Sequence, residues 1–226
     1  LMNAGLNQDN PGTLSACFVF DVSDSLNGDW PPGGKTDMDP NSIMGTAFKA
    51  STVAKAGGGV GYYLGDIRPK GSPVNSTHKR ACGPVQVLKY LNALRSLITQ
   101  GGRRDLAQMG VLPCWHKDVK EFIHCKDVNP EDISSFNISV SWTDSWLKNV
   151  DFDWLDKNWA EDICPNEETQ LWKEQCESAW KTGDPGMLFY DTINRAHPTP
   201  HQSAIRATNP CGETPNQRSE EHTSEL

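Results

Sequence analysis

Three side chains near the carboxyl end of the sequence have types and a spacing that suit catalysis. Asn209, Cys211 and Glu213 alternate with Pro210 and Gly212 in the segment ATNPCGE. In an extended segment, this spacing of two places an amide, a thiol and a carboxylate on one side of the chain. The sulfur could then abstract a hydrogen atom, the carboxylate could accept a proton, and the amide could orient a substrate hydroxyl. Three polar residues at this spacing usually indicate only an ordinary tight turn, so the spacing by itself leaves both interpretations open.

Strands and helices alternate along the sequence that precedes this segment. Apolar runs of strand length predict strands at residues 16–22, 60–64, 106–112, 136–142 and 187–190. Helices are predicted between them, with Asp39 or Asn41 as the N-cap of the first and Thr143 or Asp144 as the N-cap of a later one. This alternation indicates an α/β fold with βαβ crossovers and a mostly parallel sheet.

Composition narrows the classes of function. The chain of 226 residues has a formal net charge of −8 and a sequence pI near 5.2, whereas a general nucleic-acid binder carries a basic stripe. It contains no run of about 18 apolar residues, so we expect no membrane-spanning helix. The seven cysteines are an odd, scattered set, which is typical of reduced thiols and not of a disulfide scaffold. We therefore expect a cytoplasmic protein that binds neither DNA nor membranes.

Eight segments of the sequence, taken in order, resemble segments of the catalytic subunit of ribonucleotide reductases. They are LMNAG, LSACFVFDVSDS, STVAKAGGGVGYYLGDIRPKGSPV, STHKRACGPV, ITQGGRRDLAQMGVLPCWHKDVKEFI, FNISVSWTD, GDPGMLFYDTINRAHPTP and ATNPCGE. Together they span nearly all of residues 1–217. The resemblance implies the first half of a ten-stranded α/β barrel, incomplete in this chain, with ATNPCGE as the finger loop inside it. The motifs NPCGE, DIRPKGSPV and INRAHPTP favour the adenosylcobalamin-dependent class (class II).

The resemblance also implies a catalytic role for four residues. Cys211 resembles the cysteine whose thiyl radical removes the 3′ hydrogen of the ribose, and Glu213 resembles the general base for the 3′ hydroxyl. Asn209 resembles the amide that holds the sugar hydroxyls. Cys17 resembles one of two cysteines that reduce the 2′ carbon and end as a disulfide. The implied activity is the reduction of ribonucleotides to 2′-deoxyribonucleotides.

The substrate pocket and the remaining cysteines are assigned from the same resemblance. Ala16 and Gly59 are expected to line the pocket together with Asn209, since a missing side chain at Gly59 lets the nucleotide approach the backbone. Five cysteines match no reducing position and are interpreted as structural or incidental: Cys82, Cys114, Cys125, Cys164 and Cys176. The spacing of Cys114 and Cys125 with the nearby histidines is not that of a usual zinc site, so we expect no metal bound directly.

A second nucleotide site is implied for an allosteric dNTP or ATP effector. Asp24 resembles the acid that holds the effector's sugar hydroxyl, and Arg68 resembles an arginine that contacts its phosphates. Arg103 and Arg104 lie in the segment that matches the second specificity loop, between effector and substrate. The alternative is that these loops are solvated and carry ordinary surface charge.

Two further hypotheses stay open for the function of the chain. One is a large subunit of the class I type, whose radical arrives from a separate metal-containing subunit. The other is a non-catalytic nucleotide-binding fragment, because no cysteine follows Cys211 to complete the reducing pair. For the full-length protein, the resemblance implies a homodimer and a thioredoxin-type reductant that acts through C-terminal cysteines missing here.

The last nine residues, RSEEHTSEL, show no apolar periodicity. They equal the translation of the beginning of a widely used sequencing adapter. We therefore expect residues 218–226 not to be native and restrict the predicted catalytic barrel to residues 1–217; a genuine tail is the alternative.

Overall fold

The computed structural model of the chain describes residues 16–27, 39–74, 79–97, 106–127 and 130–216. The predictions for Arg103, Arg104 and the tail at 218–226 lie outside the described residues. Within the described ranges, no helix is both long and apolar enough to cross a membrane.

Strands and helices alternate through most of the chain, as the sequence predicts. In chain order the elements are β1 (Cys17–Asp21), α1 (Ile43–Lys55), β2 (Gly59–Tyr63), β3 (Pro73–Val74), β4 (Lys79–Arg80), α2 (Pro84–Leu97), β5 (Gln108–Pro113), α3 (Val119–Ile123), a 3₁₀ helix (Pro130–Ile133), β6 (Phe136–Trp142), α4 (Asp144–Leu147), α5 (Phe152–Asn158), α6 (Glu167–Thr182), β7 (Gly186–Phe189), α7 (Tyr190–Arg195), β8 (Ala207–Thr208) and β9 (Pro215–Asn216).

Five of these strands form one parallel sheet. Its order is β1, β2, β5, β6 and β7, and each neighbouring pair is parallel. β3 pairs with β4, and β8 pairs with β9, each in antiparallel orientation. β6 has the predicted bounds, and the other four sheet strands begin and end within two residues of theirs. The α/β prediction is therefore confirmed.

The N-cap prediction for the first helix is wrong, whereas one of the two caps predicted for the later helix is confirmed. The Ser42 hydroxyl caps α1 by accepting a hydrogen bond from the Gly45 N–H at 3.1 Å. Asp39 instead accepts from the Asn41 N–H at 2.9 Å, so it closes the turn before the helix. In α4 the Thr143 hydroxyl accepts from the backbone N–H three residues later, as an N-cap does.

The two faces of the sheet have different residue types because strand side chains alternate between them. The outer face packs against the helices and carries large apolar side chains, among them Phe20, Tyr62 and Trp142, each at most 1% exposed. The inner face carries small and polar residues such as Gly61 and Ser139 beside a smaller apolar cluster that contacts the hairpin residue Ala207. This difference leaves room on the inner face for another segment of the chain.

The segment that lies on the inner face is the β8–β9 hairpin, which carries ATNPCGE. A Cβ atom added to Gly61 would collide with the backbone carbonyl oxygen of Thr208, and one added to Gly59 would lie 2.7 Å from Pro210 Cγ. The Asn137 side chain, on β6, donates a hydrogen bond to the Pro210 carbonyl at 2.7 Å. The hairpin therefore crosses the sheet over β2, β5 and β6, and glycines in β2 make its close approach possible.

Replacing Gly61 by Ala is expected to force the hairpin away from β2. The new methyl group would meet backbone, which cannot rotate aside, so we expect the free energy of unfolding to fall by about 1–3 kcal/mol. Gly186→Ala is the matched control on the same face, because its Cβ would meet the Ser139 hydroxyl, a side-chain group, at 2.9 Å. Chemical denaturation of both variants checks this; equal losses would contradict the seating of the hairpin on Gly61.

Candidate active site

Asn209 closes the loop at the tip of the hairpin. Its backbone N–H donates to the Thr214 carbonyl at 3.2 Å, and its side-chain oxygen accepts from the Thr214 N–H at 2.9 Å. The Gly212 N–H donates to the Asn209 carbonyl at 3.0 Å, and Gly212 has a φ of 80°, which favours glycine. Residues 209–214 thus form a tight turn, and not the extended segment that would place the three side chains on one side of the chain.

The buried side chain of Asn209 joins the hairpin to β1. Asn209 is 1% exposed, and its Nδ2 donates to the Cys17 sulfur at 3.7 Å. Cys17 is half-buried and pairs in register with Gly59 on β2, which in turn faces Pro210. Three predicted site residues, Cys17, Gly59 and Asn209, therefore lie together although they come from distant parts of the chain.

The other two predicted catalytic side chains lie at the exposed tip of the same turn. Cys211 and Glu213 are both exposed, unlike Asn209. Cys211 borders an open groove of about 530 Å³ that runs along the inner face beside Met109, Asn137 and Ser139. The thiol is therefore accessible from the side of β6 and β7, while Asn209 reaches toward β1.

Arg206 anchors the base of the hairpin and was not singled out from the sequence. Its Nη2 lies 2.8 Å from Asp21 Oδ2, and its two terminal nitrogens bind the two oxygens of Asp66 at 3.1 and 2.9 Å. The guanidinium also lies 4.1 Å from the ring centroid of Tyr63. Partial burial alone would lower the pKa of Arg206, but the hydrogen bonds to both carboxylates outweigh it and raise that pKa.

The two described residues of the predicted effector site contact each other. The Arg68 Nε donates to the Asp24 carboxylate, and the Arg68 backbone N–H donates to Asp24 Oδ1 at 3.2 Å. Arg68 Nη1 also donates to the Pro73 carbonyl at 2.9 Å. The pair lies beyond the carboxyl ends of β1 and β2, the edge at which open α/β sheets commonly bind ligands. About a third of each side chain is exposed.

Two of the remaining cysteines have the surroundings of inert structural thiols. Burial raises the pKa of Cys114 to about 11 and that of Cys125 to about 12, so both stay protonated near neutral pH. His116 is held by the Ile67 carbonyl at 2.8 Å and accepts from the Asp118 N–H at 3.1 Å. Among the described residues, no group of three or more His, Cys, Asp or Glu side chains could hold a metal ion.

Asn209→Ala is expected to loosen the hairpin, because it removes the acceptor for the Thr214 N–H and the donor to Cys17. The loss of such hydrogen bonds costs about 1–2 kcal/mol of stability. We therefore expect amide hydrogen exchange in residues 207–216 to become faster. Asn158→Ala is the control, since Asn158 donates only locally, to the Trp154 carbonyl at 3.0 Å. Exchange measured by mass spectrometry on both variants checks this; identical exchange in that segment would refute the proposed role of Asn209.

Comparisons with known proteins give the family of the chain. Residues 15–167 and 166–225 match the family model of the ribonucleotide reductase barrel domain. The chain is 36% identical over 219 residues to the vitamin B12-dependent ribonucleoside-diphosphate reductase of Mycobacterium tuberculosis H37Rv, with 95% of this chain and 29% of that protein covered. It is 37% identical over 223 residues to the protein of the same name from Thermoplasma acidophilum, covering 95% and 26% respectively.

A solved structure has the same fold over most of the chain. The class Id ribonucleotide reductase alpha subunit of Actinobacillus ureae superposes with a TM-score of 0.69 at 22% identity, over 93% of this chain and 34% of that one. The chain spans less than a third of the length of the two reductases named above, and its five-stranded sheet is part of the barrel domain that the family model describes. The match of the family model to most of the sequence shows that the chain belongs to the ribonucleotide reductase family.

Proposed function

We propose that the full-length protein containing this chain reduces ribonucleotides to 2′-deoxyribonucleotides, with Cys211 as the radical cysteine. The observation that carries the proposal is the contact between Asn209 and Cys17 across the inner face of the sheet. The amide that would hold the sugar hydroxyls and the thiol that would reduce C2′ are therefore in direct contact. A ribose bound beside them could reach the Cys211 turn, which begins two residues after Asn209.

The chemistry divides among the side chains by type. The Cys211 sulfur radical takes the 3′ hydrogen atom, which forms an S–H bond and breaks the C3′–H bond. Glu213 accepts the proton of the 3′ hydroxyl. Cys17 and a second thiol, supplied from outside this chain, give up two electrons at C2′ and form a disulfide. Of the two thiol protons, one leaves with the 2′ hydroxyl as water and the other ends on C2′. Cys211 then returns its hydrogen atom to C3′, which restores the sulfur radical, and Glu213 returns the proton to the 3′ hydroxyl.

Ala16 and Gly59 are proposed to line the sugar pocket. Ala16 precedes β1, and its carbonyl accepts a hydrogen bond from the Gly59 N–H at 2.9 Å, so both are positioned beside Cys17. Gly59 is partly exposed and carries no side chain, and Pro210 of the hairpin lies directly against it. A nucleotide would therefore approach the sheet beside Pro210, at the part of Gly59 that the hairpin leaves exposed.

Adenosylcobalamin is the proposed source of the radical. The M. tuberculosis and T. acidophilum relatives are both named vitamin B12-dependent, which supports the assignment. The described residues fit such a group, because the Cys211 thiol is exposed beside an open groove and can be reached without moving the hairpin. When bound, adenosylcobalamin supplies a carbon radical able to take the hydrogen atom of that thiol.

The alternative is a large subunit that receives its radical from a second protein. A relative from Synechocystis, 28% identical over 90% of this chain, is named ribonucleoside-diphosphate reductase subunit alpha, which favours this alternative. The same exposed Cys211 would serve either source. Turnover with adenosylcobalamin alone distinguishes the two.

Asp24 and Arg68 are proposed to bind a dNTP or ATP effector, together with Arg103 and Arg104 of the segment that resembles the second specificity loop. A guanidinium suits phosphate and a carboxylate suits a sugar hydroxyl. Asp24 and Arg68 form an ion pair in this structure. An effector would have to separate them, so that Asp24 binds its sugar and Arg68 binds its phosphates. The full-length protein is further proposed to be a cytoplasmic homodimer that a thioredoxin-type protein re-reduces.

Cys211→Ala in the full-length protein is expected to abolish nucleotide reduction, since no other group in the turn can carry a sulfur radical. Cys82→Ala is the matched control, because Cys82 is also an exposed thiol but lies outside the site. Deoxyribonucleotide formation is measured with adenosylcobalamin as the sole radical source. Residual turnover of Cys211→Ala would overturn the role of Cys211, and a strict need for a second subunit would favour the alternative.

Arg68→Ala is expected to weaken binding of an effector dNTP by about 10- to 100-fold, as loss of a charge-assisted contact to phosphate costs about 1.5–3 kcal/mol. Lys89→Ala is the control, because Lys89 forms a comparable ion pair, 2.9 Å from Asp132, away from this edge. Equilibrium binding of dATP to the full-length variants measures the effect. If both variants bind like wild type, Arg68 is an ordinary surface residue.

A further inference from the structure

The β8–β9 hairpin is too short to hold its own position. Each of its strands has two residues, and an isolated hairpin of this size is marginal in water. Its placement must therefore come from contacts with the sheet. Near the tip these are the neutral hydrogen bonds made by Asn209 and by Asn137, which donates to the Pro210 carbonyl. Such bonds are individually weak.

The contact at the base of the hairpin is of a stronger kind. Arg206 immediately precedes β8 and makes three charge-assisted contacts to Asp21 and Asp66, two of them a bidentate pair. Asp21 is the last residue of β1, the strand that begins with Cys17. One rigid side chain thus connects the hairpin that carries Cys211 to the strand that carries Cys17.

The charge balance around Arg206 argues against a direct role in binding a nucleotide. Two carboxylates surround one guanidinium, so the cluster has a net negative charge and repels phosphate. The fork is also occupied on both terminal nitrogens and is stacked on Tyr63. This geometry suits an anchor and not a ligand contact.

We infer that Arg206 is a positioning residue that sets the location of the Cys211 turn relative to Cys17. It acts from five residues before Cys211, through the base of the hairpin, and touches neither reacting atom. The inference rests on the proposed function in one respect, which is that the position of Cys211 matters for catalysis. A displacement of about 1 Å at a reacting group lowers a rate by on the order of 100-fold.

The test compares Arg206→Gln with Arg195→Gln in the full-length protein. Arg195 also pairs with an aspartate, Asp144, at 2.5 Å, but on the surface beside α4. Arg206→Gln is expected to accelerate hydrogen exchange in residues 207–216 and leave residues 136–142 of β6 unchanged. It should lower kcat by about 10- to 100-fold with KM for the nucleotide within about threefold. Arg206→Lys should be intermediate, since it keeps the charge but loses the fork.

A second variant keeps the test decisive if Arg206→Gln folds poorly. Asp66→Asn removes the bidentate partner and leaves Arg206 paired with Asp21, so it should give a smaller change of the same kind. If Arg206→Gln and Asp66→Asn both match the control in exchange and in kcat, the inference is wrong. If exchange rises equally in the hairpin and in β6, Arg206 stabilises the whole domain and the inference is also wrong. Hydrogen exchange requires no turnover, so an inactive wild type would refute the proposed function and leave the exchange comparison as the test of Arg206.

Discussion

The close approach of the hairpin to β2 is the constraint on which the rest of the site depends. It requires the absence of a side chain at Gly61, because the Thr208 backbone occupies the space that a Cβ would need. Once the hairpin is seated there, Asn209 reaches Cys17 and Pro210 covers Gly59. The contact between amide and thiol is thus a consequence of backbone packing against the glycines of β2, and the hydrogen bonds of Asn209 fix the orientation of its side chain.

The polar contacts divide the hairpin into a tip and a base with different chemistry. The tip is held by amide hydrogen bonds, which leave Cys211 and Glu213 exposed and free to meet a substrate. The base is held by the ion pairs of Arg206, whose partners end or follow β1 and β2. Just beyond them on the same two loops lies the Asp24–Arg68 pair. The proposed catalytic turn, the proposed reducing thiol and the proposed effector site therefore share two strands.

Much of the fold follows from the sequence, whereas the anchoring of the hairpin does not. Apolar runs of strand length predict the sheet strands to within two residues, since the burial of a strand is a local pattern. The sequence does not identify the N-cap of α1, because Asp39, Asn41 and Ser42 can all accept a capping hydrogen bond. The backbone geometry decides which of them caps the helix. Arg206 was missed because its partners are at least 140 residues away and a lone arginine carries no local pattern. Its one signal was its place beside ATNPCGE.

The central claim is that the inner face of the sheet brings Cys17, Asn209 and Cys211 around one ribose. A crystal structure of the full-length protein with a bound ribonucleotide tests it most directly. The account predicts the hairpin on β2 with the ribose in contact with Asn209 and between the sulfurs of Cys17 and Cys211. A ribose bound elsewhere, or a hairpin displaced from Gly61, would contradict it.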